Sequence, residues 1–536
     1  MDKVDYSKKV DNLIQEGIAD GIYGFTEDKT HAELENFRAF INYNFKQSDI
    51  FDKIWTHQNQ PGRLFCTAKT HKFANLSDIT VDNLKLRPII DQSNSFTSNS
   101  AAFLSDYLKP LQDKEYMLYD TLKFPELLRK LPPKGLDEED ISYDVEALFT
   151  NIPIDVTIDY IVEEIYEKEA LKPLCKKLIF KRFLKRLTSG CTFSANGKLI
   201  RQLDGCPIGG NFSMIMASIC MTKCLREVIK PLNPPCFALY VDDIFCRRKK
   251  NAQDEIGEGL RNFHPKLKFT VEEEPNRFLD SEFEKTAGLN VSVKVFQKPN
   301  KMPIHWSSQT PRRYKRNAIT CELHRALSIS DDFEAEVVKI REKYKNAGFP
   351  YGFVNDTIKK IRFSKFDELI PDNFFDVPDD TKPTIRVRLT FCRKNENLMQ
   401  SFLRKLNSYI GDFYSVFVIW NTTKVRSLFS LKDKNLHPHC IIYEGSCSCG
   451  VKYIGETDRC IHVRTGEHED IKKNSEPSKH LKANRDHSFN WKILAFAPRD
   501  TTKRKILEAF FISKFKPGLN EQVKSRKLTL FKYGVT

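Results

Sequence analysis

The chain has 536 residues, length for about three domains and enough to bury a sizeable core. Its 86 Lys and Arg against 71 Asp and Glu leave a net charge of +15, recurring along the chain instead of gathered in one tail. That balance favours a polyanionic partner, although basic surfaces also serve solubility. The start Met-Asp-Lys-Val-Asp is too charged for a signal peptide, and the fourteen cysteines are scattered, mostly within apolar stretches. No apolar run approaches the ~20 residues that span a bilayer. These features argue against a secreted disulfide scaffold and a membrane span, and for a reduced, intracellular compartment.

In chain order, the first stretch carries Leu34, Phe37, Phe40, Ile41 and Phe45 at roughly helical spacing and reads as an N-terminal helical extension over residues 1–60. It contains the tripeptide Gly21-Ile22-Tyr23. Arg63 to Lys72 follows, then Leu86-Arg87-Pro88-Ile89-Ile90. An Arg before a Pro, with Lys69 and Lys72 upstream, can hold a triphosphate by charge-assisted hydrogen bonds; a solvated basic loop is the other reading.

Asp144 ends a strand-like run, Ile141-Ser-Tyr143-Asp144-Val145, ahead of a helix-like segment from Val156 to Glu169. Gln202 to Ala217 is a Gly- and Pro-rich turn entering an apolar helix, in which Gly205 and Gly209 permit close backbone approach to a ligand or template. Phe237 to Cys246 sets Asp242 and Asp243 between apolar arms, as in a hairpin with paired acids at its tip; a solvated turn uses Asp too.

An acid-tipped strand, a Gly-rich turn and an acid-tipped hairpin in this order resemble the palm of reverse transcriptases. Asp144 to Pro153, Lys69-Thr-His71-Lys72, Arg87-Pro88-Ile89, Lys268 to Glu272 and Phe278-Leu279-Asp280 resemble, more narrowly, Penelope-like retroelement polymerases. Lys298-Pro299, His305-Trp306-Ser307 and Arg325-Ala326 resemble that family's thumb, so the likeness runs from about Arg63 to Ser330. Gly209-Gly210-Asn-Phe-Ser213-Met214 departs from the family's Gly-Ser-Pro-Leu-Ser-Pro, and Phe65-Cys-Thr-Ala68 is a loosened form of its approach to the Lys-x-His-Lys.

Primer extension is an in-line phosphoryl displacement between two divalent ions, Mg2+ or Mn2+, held by hard oxygen ligands. Asp144 and Asp242 are assigned as the metal-bridging acids, with Asp243 in support. The resemblance makes Phe149 the ring beside the sugar that excludes a 2'-hydroxyl, a core Phe being the alternative. It makes Lys69 and Arg87 the triphosphate contacts, and places Gln202, Gly205 and Gly209 along the template and nucleotide.

Residues 301–382 are helix-rich and basic, as in Pro311 to Arg316, and suit a thumb gripping a duplex through its backbone; a nuclear-localisation patch is the other reading. Phe374 to Pro383 reads as a linker. A connecting segment, 383–436, then suggests strand, helix and strand at Thr384–Phe391, Glu396–Tyr409 and Phe413–Asn421.

Between Cys440 and Asn520, Ile441-Ile442-Tyr443, Tyr453-Ile454-Gly455, Arg464, His468, Glu508 and Asn520 resemble the GIY-YIG endonuclease domain, with Ile441 where the family has Gly. Gly21-Ile22-Tyr23 and Tyr409-Ile410-Gly411 match the triplets more literally but lack the residues that complete a site. The resemblance makes Tyr443 and Tyr453 the groups that position or deprotonate water, Arg464 the phosphate clamp and Glu508 the metal ligand, with His468 assisting. Arg464 is preferred over Arg459 because helical spacing sets it on one face with His468. Cys447, Cys449, His480 and His487 form a two-Cys, two-His set suited to structural Zn2+, with His439 and Cys440 as possible substitutes.

The expected fold is α+β multidomain: right-hand fingers and palm over 61–300, the thumb-like and connecting segments, a small mixed α/β GIY-YIG domain over 437–523 and a basic tail at 524–536. The expected function is that of a retroelement RNA-directed DNA polymerase coupled to an endonuclease that nicks target DNA. Its partners are then an RNA template, a DNA primer, target DNA and deoxynucleoside triphosphates, in the nucleus and with no membrane. A relative that only binds nucleic acid, or a polymerase with an inactive nuclease, are the alternatives.

Overall fold

The computed structural model describes residues 3–58, 60–70, 73, 76–132, 134–135, 137–189, 191–250, 254–273, 275–285, 291–297, 302–363, 383–390, 396–411, 413–421, 438–497 and 501–520. His71, Lys72, Lys298-Pro299, the linker residues 374–382 and the basic tail lie outside them. Among the described residues no helix is long and apolar enough to cross a membrane.

The first nine strands are β1 (Tyr23–Phe25), β2 (Gly62–Ala68), β3 (Leu86–Asp91), β4 (Glu138–Val145), β5 (Thr192–Ala195), β6 (Lys198–Gln202), β7 (Cys236–Tyr240), β8 (Asp243–Lys249) and β9 (Phe269–Glu273). They form a five-stranded sheet of order β1-β6-β5-β2-β3 and a four-stranded sheet of order β7-β8-β4-β9. In the second sheet β7 and the Ile244-Phe-Cys246 stretch of β8 are apolar because both faces are covered there. Phe237, Leu239, Ile244 and Cys246 enter one core with Ile158, Ile161, Met216 and Cys220 of the helices Ile154–Tyr166 and Ser213–Cys224. The alternate residues Cys236, Ala238 and Phe245 enter another.

That second core contains β10 (Arg277–Phe278), β11 (Ser281–Lys285) and β12 (Val291–Val295), through Phe278, Phe283, Val293 and Val295. It also takes Ile319, Leu323, Val337 and Tyr344 from the helices Arg312–Ile329 and Phe333–Asn346, which a third helix, Tyr351–Phe363, accompanies. The boundary drawn at 300/301 therefore cuts through one hydrophobic core. Arg325 reinforces it by donating to Asp280 (2.7 Å), so two stretches singled out in the sequence meet as an ion pair.

The N-terminal residues also differ from the separate helical extension read in the sequence. Tyr23–Phe25 is a strand paired with Gln202 to Ile200, and Phe37, Ile41 and Phe45 of the helix Thr30–Phe45 are built into the main core. Three residues of strand carry too little period-2 signal to register beside strong helical spacing. Tyr23 is thereby a core residue of this sheet.

Farther on, β13 (Thr384–Thr390) and β14 (Ser415–Asn421) pair in parallel, with the helix Glu396–Ile410 between them in sequence. Ile410 ends that helix, within the second decoy triplet. The last unit is a three-stranded sheet of order β16-β15-β17, made of β15 (Ile441–Cys447), β16 (Lys452–Thr457) and β17 (Phe489–Phe496), with the helices Ile461–Glu469, Glu476–Ala483 and Thr501–Phe515. Its strands alternate too: Ile441 and Tyr443 pack with Ile461 on one face, Ile442 with Ile454 and Ile512 on the other. Ile441, which departs from glycine in the resemblance, is a fully buried core residue on the same face as Tyr443.

Candidate active sites

The first site lies at the end of the four-stranded sheet. Asp144 and Asp243 are cross-strand partners in the β4–β8 register, so their side chains leave the same face about 5 Å apart at Cβ. Asp242 lies in the turn joining Tyr240 to Asp243, and its carbonyl accepts from the Val145 N–H (3.1 Å). Val241 opens that turn at φ 59°, a conformation a β-branched residue adopts only under strain. Burial raises the Asp242 carboxyl pKa, and a hydrogen bond from its own backbone and then the Arg87 charge oppose the rise. Three carboxylates are thus placed at one end of the sheet, and hard oxygen donors are the type that divalent cations take.

Arg87 stands on the β2–β3 hairpin. Thr67 is its cross-strand partner, and Lys69 continues the hairpin by donating its backbone N–H to the Lys85 carbonyl. The period of two puts Thr67, Lys69, Lys85 and Arg87 on one face. The Arg87 charge on this hairpin is felt at Asp242.

Beyond Asp144 the chain reverses at Ala147 (φ 49°) into the short helix Leu148–Asn151. Phe149 is half-buried against the main core, and its carbonyl accepts from the Cys206 N–H (2.7 Å). The glycines answer to the chain's own backbone. A Cβ on Gly205 (φ 66°) would lie 2.2 Å from the Thr150 carbonyl oxygen, and one on Gly209 (φ 99°) 2.8 Å from that of Ile90. Their assignment as ligand-approach glycines is corrected accordingly: they let the turn lock the Phe149 loop to β3. Gln202 is buried in β6, its Nε2 donating to the Asp204 carbonyl (3.0 Å), which removes it from direct nucleotide contact.

The second site is built on β15 and β16. Tyr443 faces Gly455 across the strands, and a Cβ there would come 2.5 Å from the tyrosine hydroxyl oxygen, so the second triplet needs glycine. Tyr443 is fully buried, with its pKa raised by that burial. Its hydroxyl contacts His468 Nε2 (2.8 Å) and accepts from Arg464 Nε (3.3 Å). Arg464 also donates to Glu467 (3.0 Å), which Arg459 holds bidentately at 2.7 Å, so that the Glu467 carboxyl is lowered to about 2. The structure thus brings Arg464, and not Arg459, to Tyr443.

His468 is sealed from solvent, and burial with the nearby Arg464 charge lowers it to about 4. Trp491 of β17 stacks on its ring at 5.4 Å. Tyr453 stands edge-on to the same ring at 5.1 Å. Glu508 is pushed up to about 7 by burial and by the Glu456 charge, with Arg464 opposing. One turn earlier Arg504 is buried and pairs with Glu456. Asn520 corrects its catalytic assignment: Oδ1 accepts from the Ile454 N–H (2.9 Å) and Nδ2 donates to the Ile454 carbonyl (2.7 Å), so both ends of the amide position β16. Trp491 and Ser475, which the sequence reading missed, touch the site directly, and only the proximity of Trp491 to His487 marks it in the sequence.

Cys447, Cys449, His480 and His487 bring their ligand atoms within 4.8 Å of one another. His480 Nε2 lies 3.3 Å from Cys447 Sγ, 3.4 Å from Cys449 Sγ and 3.0 Å from His487 Nδ1. Tetrahedral zinc bonds of ~2.0–2.3 Å give ligand–ligand edges of ~3.3–3.8 Å, so the donors fit such an ion. A hydrogen bond from the Val451 backbone, then one from Cys447, lowers the Cys449 thiol toward thiolate. Cys440, seven residues back along the strand or ~23 Å, is outside the cluster, and His439 contacts Gln60.

The profile of the animal helix-turn-helix domain matches residues 302–359, within the region of the three helices that back the four-stranded sheet. No curated protein matches the chain in sequence. Among solved structures, an apo telomerase of Candida tropicalis lacking its C-terminal domain is similar at 11% identity, over 39% of this chain and 52% of that one, with a TM-score of 0.30. A Candida albicans telomerase in complex with a fragment of telomeric RNA is similar at 12% identity, over 49% and 46%, at 0.32. A Sicinivirus RNA-dependent RNA polymerase is similar at 12% identity, over 64% and 74%, at 0.37. The chain spans about half the length of these telomerase chains.

Proposed function

We propose that the chain is an RNA-directed DNA polymerase of a Penelope-like retroelement, joined to a GIY-YIG endonuclease that nicks target DNA and supplies the primer. The observation that carries the polymerase half is the placement of Asp144, Asp242 and Asp243 at one sheet end, with the Arg87 charge acting on Asp242. Divalent cations bound there would activate the primer hydroxyl and neutralise the leaving pyrophosphate. Arg87 and Lys69 bind the triphosphate, and the strained turn holds Asp242 in place before substrate arrives. Primer extension on an RNA template by the purified chain tests this half; a chain that binds the duplex but never extends it would overturn it.

Phe149 follows the reversal at Ala147 and is proposed to lie against the sugar. Phe149→Ala should raise ribonucleotide over deoxyribonucleotide incorporation by about tenfold or more, the effect of ~1.4 kcal/mol of lost steric discrimination. Competitive single-nucleotide incorporation measures it, and an unchanged preference with extension intact would make Phe149 a core residue only.

In the nuclease half, a divalent cation held by Glu508 would stabilise the charge on the cleaved phosphate. Arg464 clamps the phosphate, while Tyr443 accepts a proton from water and passes its own to His468. The Cys447, Cys449, His480 and His487 group is proposed to hold structural zinc. Cys447→Ser should release about one equivalent of zinc and destabilise the C-terminal unit by several kcal/mol, since the binding free energy of structural zinc is folding free energy. Elemental analysis with thermal melting checks this, and a zinc-free wild-type unit of equal stability would remove the claim.

A further inference from the structure

Every acceptor around His468 is a hydroxyl or carbonyl, so its tautomer follows from counting protons. Ser478 Oγ lies 2.9 Å from the His468 carbonyl and 3.2 Å from that of Glu467. Carbonyls only accept, so the Ser478 proton is taken up there. Ser475 Oγ lies 2.6 Å from Ser478 Oγ, and a contact that short needs the remaining proton, that of Ser475. Ser475 also accepts from the Ser478 backbone N–H (3.3 Å) as N-cap of the helix Glu476–Ala483. Its oxygen, 2.8 Å from His468 Nδ1, is then left to accept.

We propose that Ser475 is a positioning residue that fixes His468 as the Nδ1–H tautomer, leaving Nε2 bare to accept the Tyr443 hydroxyl proton. The proton balance is closed. Tyr443 donates to Nε2, its oxygen accepts from Arg464 Nε–H, and one lone pair remains for the proton of the attacking water. When that proton arrives, Tyr443 releases its own to Nε2 and His468 becomes an imidazolium that keeps Nδ1–H on Ser475. With the opposite tautomer Nε2 would donate to Tyr443 and could take nothing from it. The catalytic consequence rests on the nuclease reading; the tautomer does not.

The helix that Ser475 caps also carries His480, so the serine stands on the element that seats the Cys/His group. Trp491, four residues beyond His487, closes the other side of the ring. The imidazole is thus held between two elements anchored by the same ligand cluster.

The test uses the full chain with selectively 15N-labelled histidine and zinc present. Long-range 1H–15N spectra, assigned by the signal lost in His468→Asn, should show the Nδ1–H pattern in wild type. Ser475→Ala should lose that preference and lower the kcat for nicking by ~10–100-fold with KM for DNA unchanged, the range for loss of an orienting partner. Ser475→Thr keeps the hydroxyl and should restore both readouts. Bound zinc and primer extension, unchanged throughout, show that Ser475→Ala folds. An Nε2–H pattern in wild type, or wild-type tautomer and kcat in Ser475→Ala, would overturn the proposal. If neither wild type nor Tyr443→Phe differs from background nicking, the nuclease reading falls alone, because the spectrum decides the tautomer without turnover.

Discussion

Asp242→Ala should lower nucleotide addition by ~10³-fold or more while duplex binding persists. An acid that holds a catalytic cation contributes several kcal/mol to the transition state, and ~4 kcal/mol corresponds to that factor. Folding should survive, because Asp242 is half-exposed in a turn and its burial, relieved only in part by Arg87, already disfavours its charge. Affinity for the primer–template duplex comes from phosphate contacts by basic residues and does not depend on this carboxylate. The measurement is single-turnover extension of a DNA primer on RNA, beside a filter-binding titration. Near-normal extension would refute the assignment of the sheet end as the polymerase site.

The second large effect separates the two activities. Glu508→Ala should abolish nicking of supercoiled DNA and leave primer extension on a supplied RNA template unchanged, whereas Asp144→Ala should nick without extending. The acids proposed for the two reactions stand on units with separate hydrophobic cores, so neither substitution removes packing from the other unit. Glu508 brings a pH signature as well. Its folded pKa, about 7, exceeds the ordinary value of 4.5, so the native unit favours the protonated form. Without divalent ions the C-terminal unit should therefore lose stability as pH rises from about 4.5 to about 7, and Glu508→Ala should remove that slope. Thermal melts across this window test the sign. Equal nicking with and without Glu508 would mean that its acid takes no part, and a wild type that never nicks would leave a polymerase whose C-terminal unit serves another purpose.

Much of the two candidate sites could be read in the sequence because the proposed chemistry depends on residue type and local spacing. The Asp242-Asp243 tip, the acid after Tyr143 and the Arg464–His468 pair at helical spacing each announce themselves within a few residues. The Cys/His group was legible for a related reason, since few side chains other than metal ligands combine two thiols with two imidazoles. What the sequence withheld depends on who is opposite. Gly205 and Gly209 read as glycines that admit a ligand, yet the atoms they make room for are the Thr150 and Ile90 carbonyls, far away in the chain. Asn520 read as catalytic and its amide is taken up by Ile454. Ile441 read as damage to a motif, but it is a buried strand residue on the Tyr443 face. Ser475 looks like an ordinary helix cap, and only the ring lying against it gives it a second task.

The pairing of β1 with β6 has a consequence for synthesis. Tyr23 cannot meet Gln202 until the intervening chain has been made, so the first helix, Lys3–Ala19, leaves the ribosome with at most the β2–β3 pair to lie on. At ~5–20 residues per second that wait is ~10–35 s. Throughout it Val10 and Ile14, buried against β2, β3, β5 and β6 in the finished molecule, lack the part of their cover that β5 and β6 supply. The parallel pairing of β2 with β5 is delayed in the same way. This sheet is therefore completed at its centre, where β5 and β6 enter between β2 and β1, and a slow or paused translation between Asp91 and Thr192 would lengthen the period in which its beginning is only partly covered.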